Sequence, residues 1–409
     1  MAWVRNTVGL GLITLCSAGL LGSSGMAAPA ASGRKPAESS TDQVVRELCG
    51  KTVALLGESP LHGFGRTLQF KVDVARRLID ECHFRGFFIE SGSYDFLNIQ
   101  KQLASGGQVT QPMLAAAIGG LWATREVEPL LPFLLEKARS GAVLLGGLDD
   151  QLARGTYAQL AMPSDLVAYL EGDARTRCLA ILRRHTLWEY SSDAPYGPRD
   201  KALILGCLDA IDASLSATRR EAAPFRDYDL AMIASLRRNF ARDFVADDSG
   251  GVDARTRTSN ARDQSMYVNF QWLMARLPAH SKVIVWAATT HVAKDLSGVP
   301  GQERMVSLGS YIRRAFADHA FALGFSASSG SYGMARQPVR PLSAAPPLSL
   351  EGQAFAQDTS EIRYFDRGQL RRFGAVPARP TGTDFRTARW DAVLDGLVVF
   401  REEHPPEKS

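Results

Sequence analysis

At 409 residues, with 45% hydrophobic and 22% charged content, the chain has the composition of an ordinary globular protein and enough length for one large domain or two of usual size. The formal net charge of +4 is small and acidic and basic residues are mixed throughout, so no nucleic-acid footprint is present.

The first stretch, residues 1–30, reads as a secretory signal. Arg5 supplies a short basic region, Val8 to Leu21 is apolar with small residues, and Ala28-Pro29-Ala30 fits a small-x-small cleavage site, with the cut expected before Ala31. The apolar run is shorter than the roughly 20 residues a membrane span needs and is broken by Gly and Ser. Cys16 follows Leu15, where a lipid-anchor signal would carry a small residue. The expectation is export to the periplasm or beyond, with no stable membrane anchor. Cys49, Cys82, Cys178 and Cys207 remain, an even number suited to an oxidising compartment. Cys49 and Cys82 each precede an expected strand and would lie at the same sheet edge. The expected pairs are Cys49 with Cys82 and Cys178 with Cys207.

Residues 31–43 read as a flexible lead-in, with order beginning near Val44. Residues 44–155 read as the first part of an α/β core. An apolar run, Val53 to Leu56, ends in Gly57, Glu58 and, after a short loop, His62. Leu68, Val72, Ala75 and Ile79 then recur at helical spacing. A second run, Gly86 to Ile89, stops on Glu90, so a right-handed βαβ unit is expected. Helices follow over Ser93–Leu103, Gln111–Leu121 and onward through Lys137. A third strand, Ala142 to Leu148, ends on Asp149 and Asp150. Residues 156–274 read as a helical cap or insertion between the third and fourth core strands, with Ala246 to Asn260 as a mobile, lid-like loop. The core resumes over 275–404. Ser281 to Ala287 forms the fourth strand, followed at once by His291. Ala320 to Ser326 and the end of Trp390–Phe400 are further strands, 337–349 is a Pro-rich surface excursion, and 405–409 is a tail. The expected fold is a mostly parallel sheet flanked by helices.

Ligands bind beyond the carboxyl ends of strands in such sheets. If the strands are neighbours, Glu58, His62, Glu90, Asp149 and His291 converge there. Two imidazoles among carboxylates suit general base catalysis, with a carboxylate fixing the tautomer. They also suit ligation of a divalent metal by Glu58, His62, Glu90 and His291. The plain structural reading is that a carboxylate after a strand caps the next helix. His62 lies in a loop with no apolar periodic face to bury it. Lys71 sits at the edge of its helix's apolar stripe and either snorkels to solvent or reaches Glu58 or a substrate. No GxSxG elbow occurs and no Walker or GxGxxG motif follows a strand, which disfavours serine hydrolases and nucleotide binding.

The series GESPLHG, FRGFFIESGSYD, GGLWATREVEPLL, LLGGLDDQ, ARDQSMYVNFQWL, VIVWAATTHVAKD and SLGSYIRRAF resembles the erythromycin esterase family in order and spacing, from Thr52 to about Tyr332. That resemblance implies an α/β core with a helical cap over a deep cleft and hydrolysis of a small-molecule ester or lactone by water. It implies His62 as base, Glu58 and Glu90 as acids, Lys71 as the basic helix residue and His291 as the late histidine, with no required cofactor. Trp122, Asp149 and Thr289 are read as lining the substrate, and Asp149, Arg262 and Asp263 as further family positions of structural kind. The chain departs from the pattern in three places. Its Glu58-to-His62 loop is one residue longer, Ala288 and Thr289 stand where the family carries His and Asn, and Lys71 replaces an arginine. A metal-dependent hydrolase and an exported binding protein without catalysis are the alternatives.

Overall fold

The computed structural model describes residues 38–242, 251–334 and 337–408. The expected signal segment lies outside the described residues, as does most of the lead-in.

Short runs such as Val-Ala-Leu-Leu and Val-Ile-Val-Trp have apolar side chains on both faces, which suits strands covered by helices on each side of a parallel sheet. Among the described residues ten strands form, β1 Val53–Leu56, β2 Phe84–Gly92, β3 Leu144–Asp149, β4 Lys282–Trp286, β5 Ala320–Tyr332, β6 Arg340–Leu342, β7 Ile362–Asp366, β8 Ala375–Ala378, β9 Arg386–Arg389 and β10 Gly396–Glu403. The main sheet runs β3-β2-β4-β1-β5-β10-β7, with β6 paired to β5, while β8 and β9 form a separate hairpin. Every pair from β3 to β10 along that order is parallel, and β7 and β6 are antiparallel additions. The carboxyl ends of β3, β2, β4 and β1 therefore stand side by side.

The helix Gly65–Cys82 buries Leu68, Val72, Ala75 and Ile79 against the sheet, and Lys71 lies on the same buried side. Phe64 gives this helix no side-chain cap. Glu403, at the end of β10, supplies one instead: its Oε1 accepts from the Thr67 amide at 2.9 Å and the Thr67 hydroxyl at 2.6 Å, and its Oε2 accepts from the Arg66 amide at 3.0 Å. Between β3 and β4 the described residues hold helices and no strand, the longest being Gly172–Thr186, Pro198–Ala217, Arg226–Ala241 and Gly251–Met274. Leu182, Leu208, Ile211, Met232 and Leu236 form a core of their own among these helices.

Order begins earlier than Val44, because Ser39 caps the helix Ser40–Cys49 through the Asp42 amide. The stretch expected as a loop is helical from Gly251 onward, and its earlier part lies outside the described residues. Polar residues such as Arg255 and Arg257 mark an exposed helix face as readily as a loop. The Pro-rich excursion contributes β6, whose Leu342 pairs with Gly330 because β5 runs on to Tyr332 and leaves an open edge. Cys49 bonds Cys82 with Cα atoms 5.2 Å apart, and Cys178 bonds Cys207 with Cα atoms 5.5 Å apart. Among the described residues no helix is long and apolar enough to cross a membrane.

Candidate active site

The four adjacent strand ends carry two linked clusters of ionisable groups. The first is built on the loop after β1. Its turn is closed by the His62 amide bonding the Ser59 carbonyl at 2.8 Å, with His62 itself at φ 50°, in the left-handed region. This points the imidazole back toward the acid four residues earlier, and His62 Nδ1 lies 3.3 Å from Glu58 Oε1. The same oxygen accepts from Trp122 Nε1 at 2.9 Å and faces Lys71 Nζ at 3.2 Å. The Trp122 ring meets the His62 ring edge-on at 5.1 Å. Lys71 is fully buried, with its ammonium 4.0 Å from the centroid of Trp286.

Burial would raise the Glu58 carboxyl, but the Lys71 charge and the bonds from His62 and Trp122 hold it below its ordinary value. Burial pulls the Lys71 ammonium down to about 8 despite Glu58 beside it. Lys71 is thus held away from solvent with its ammonium against Glu58.

The second cluster surrounds Arg262, on the helix Gly251–Met274. Its Nε lies 3.1 Å from both Asp149 oxygens, and its Nη2 bonds Asp149 Oδ2 at 2.6 Å and Glu90 Oε1 at 2.8 Å. His291, in the short helix Thr289–Val292, places Nδ1 at 2.9 Å from Asp263 Oδ1 and Nε2 at 3.1 Å from Glu90 Oε1. Burial opposes a charge on this ring, yet Asp263 and Glu90 carry it up to about 10. These two carboxylates favour the protonated ring. Against its own burial, the His291 and Arg262 charges hold the Glu90 carboxyl well below the usual range.

Two consecutive backbone amides tie the clusters together. Ala288 N–H donates to Glu90 Oε2 at 2.8 Å and Thr289 N–H donates to the Glu58 carbonyl at 2.7 Å. Both residues are buried and make these bonds through the main chain. Thr289 Oγ1 has no hydrogen-bond partner. A Cβ on Gly57 would lie 2.7 Å from that hydroxyl and 2.8 Å from the Leu323 carbonyl, so only glycine lets β1 turn out at this point.

The structure brings Glu58, His62, Lys71 and Trp122 into one group, and Glu90, Asp149, Asp263 and His291 into another. Trp122 and Asp149 are buried and turned toward Glu58 and Arg262 respectively, where they position those groups. Arg262 has a more central place than a structural reading gave it. Its signal in the sequence was the adjacent Arg262-Asp263 pair, with Asp263 1% exposed inside a long helix. Among the described residues no group of three or more His, Cys, Asp or Glu is arranged to hold a metal ion.

Known proteins share this fold. A crystal structure of a succinoglycan biosynthesis protein matches with a TM-score of 0.66 at 14% identity, covering 92% of this chain and 94% of that one. A Bacillus cereus protein matches with a TM-score of 0.66 at 15% identity, covering 91% and 94%. A variant of the erythromycin esterase EreC in its open conformation matches with a TM-score of 0.61 at 11% identity, covering 89% and 94%. The erythromycin esterase family model matches residues 79–396, a span that takes in Glu90, Asp149, Arg262, Asp263 and His291 and begins after Glu58, His62 and Lys71. On that match, spanning most of its length, the chain belongs to the erythromycin esterase family.

Proposed function

We propose that this protein is an exported hydrolase that cleaves a carboxylic ester or lactone with water activated by His62. The observation that carries this reading is the contrast between the two histidines. His62 has one nitrogen on Glu58 and no bonded partner for Nε2 among the described residues, whereas both nitrogens of His291 are held by carboxylates. A base needs a free lone pair, and of the two histidines His62 is the one with a ring nitrogen unbonded among the described residues. Charge balance favours the same choice. Glu58, Glu90, Asp149 and Asp263 face Lys71, Arg262 and His291, so a proton accepted by His62 brings the buried set to neutrality.

In this mechanism His62 Nε2 takes a proton from water as the water oxygen bonds to the carbonyl carbon. Glu58 holds Nδ1–H and stabilises the imidazolium. Arg262 polarises the carbonyl. It is the most exposed cation of the set, with 21% of its side chain accessible, and its Nη1, 3.1 Å from His291 Nε2, makes no bond to a carboxylate among the described residues. The tetrahedral oxyanion collapses as the C–O bond breaks, and His62 returns its proton to the leaving alkoxide. The two disulfides and the signal-like N-terminus support export.

Family membership and the likeness to EreC make macrolide lactones the first substrates to assay, within a panel of esters and lactones. His62→Ala should lower kcat by roughly 10²- to 10⁴-fold. Full activity in that variant on every substrate the parent cleaves would overturn the mechanism, and saturable binding with no turnover by the parent would make it a binding protein. A metal site at Glu58, His62, Glu90 and His291 fits poorly, because internal cations and an amide already occupy these carboxylates. Elemental analysis of protein purified without chelator tests that point.

A further inference from the structure

The helix Gly251–Met274 turns Arg262 and Asp263 into the candidate active site, while Ala261, Gln264 and Ser265 line a different space. At 100° per residue, neighbours on a helix must face different ways. That space is a cleft of about 510 Å³ between this helix and the helix Arg226–Ala241. Arg238, Arg242 and Arg257 line it, and among the described residues no acidic one does. Arg242 is neutralised by Asp150, whose Oδ2 it reaches at 3.0 Å. Arg238 feels the same Asp150 charge but makes no bond to it. Arg238 donates only to neutral oxygens, Ser265 Oγ at 2.9 Å and Asn269 Oδ1 at 2.5 Å, and Arg257 is exposed with no bonded partner among the described residues. Burial pulls the Arg238 guanidinium below its ordinary value, the condition a close anion relieves.

Arg238 and Val268 are shared with a second cavity of about 120 Å³. Its wall is largely apolar, with Phe96, Leu97, Trp272 and Leu273. For scale, an apolar cavity of roughly 150 Å³ holds benzene. A cationic mouth thus backs onto a recess the size of a ring or short alkyl chain.

We infer that this cleft is a binding site for an organic anion with a compact apolar body, its carboxylate or phosphate held by Arg238 and Arg257 and its body in the recess behind Val268. Guanidinium forks suit such anions. The anion is either the remote acidic group of a substrate or a separate acid.

Calorimetric titration of the disulfide-bonded protein with 4-phenylbutyrate and its neutral amide tests the site. The carboxylate should bind saturably with one-to-one stoichiometry, and the amide about tenfold or more weaker. Arg257→Ala and Arg238→Met should each weaken carboxylate binding about tenfold, the exposed Arg257 variant being the one least able to disturb folding. His62→Ala should bind as the parent does. Equal binding of acid and amide, no saturable binding, or undiminished binding in both arginine variants would overturn the inference. Esters with and without a remote carboxylate separate the two sources: a lower KM for the acidic ester marks a substrate group, and an equal KM marks a separate acid. Failure to hydrolyse any ester would count against the hydrolase reading and leave the binding result standing.

Discussion

Trp122 and Glu58 are joined through one atom, because the indole N–H donates to the same Oε1 that faces His62. A bond to a charged acceptor is worth about 1.5–3 kcal/mol, and this one fixes the oxygen that orients the proposed base. Trp122→Phe keeps the ring and removes the donor. Steady-state kinetics should show kcat falling about tenfold with KM nearly unchanged, the split expected of a positioning residue. An unchanged kcat would detach Glu58 from the chemistry.

Arg262 pairs with the buried carboxylates of Asp149 and Glu90 from one fork. Arg262→Met would leave Asp149 charged and unpaired, and breaking a buried pair from one side costs about 3–5 kcal/mol. Urea denaturation should report a loss of that size. Adding Asp149→Leu should recover much of it, because Glu90 keeps His291, while activity stays low. A double variant no more stable than the single would show that the pair is not the source of the loss.

The pH dependence of stability follows from His291. Its folded value is raised to about 10 from an ordinary value near 6.5, so between those limits the folded state holds a proton that the unfolded chain has released. The stabilisation is fully present below about pH 6.5 and is lost as pH rises through about 10. Melting temperatures of the parent and His291→Gln should therefore differ most in mild acid and converge toward pH 10. A gap that widened with pH would mean that the ring is buried neutral.

Cys178 and Cys207 join two helices across a sequence separation of 29 residues. Closing a loop of that length stabilises by about 2–4 kcal/mol. Cys178→Ser with Cys207→Ser should lower the melting temperature, and non-reducing mass spectrometry of the parent should find no free thiol among the four cysteines. Four alkylatable thiols would remove both bridges.

Much of this was legible in the sequence for a physical reason. A strand covered on both faces must be apolar throughout, so Val53–Leu56 and Lys282–Trp286 announce themselves, and the charged residues that follow them stand out. The region from Leu350 to Arg389 was silent because its strands are edge or hairpin pieces such as Arg386–Arg389, whose polar residues carry no periodic signal. The site was readable as a set of residues but not as a set of partners. Lys71 shows no more than a charge on an apolar stripe until the helix is placed against Trp286 and Glu58. Ala288 could not be read at all, since its contribution is an amide that every residue but proline has.

Thr67 and Glu403 are 336 residues apart in the chain, and their bond secures the start of the helix that follows the His62 loop. A chain ending at Phe400 should keep most of β10 and yet show a loosened His62 loop by hydrogen exchange, with little hydrolysis. The timing of maturation follows from the same bond. The His62 loop is made early and Glu403 more than 300 residues later, so a chain still emerging from a ribosome carries this helix without its cap. The start of the helix is completed only when these distant parts of the chain meet.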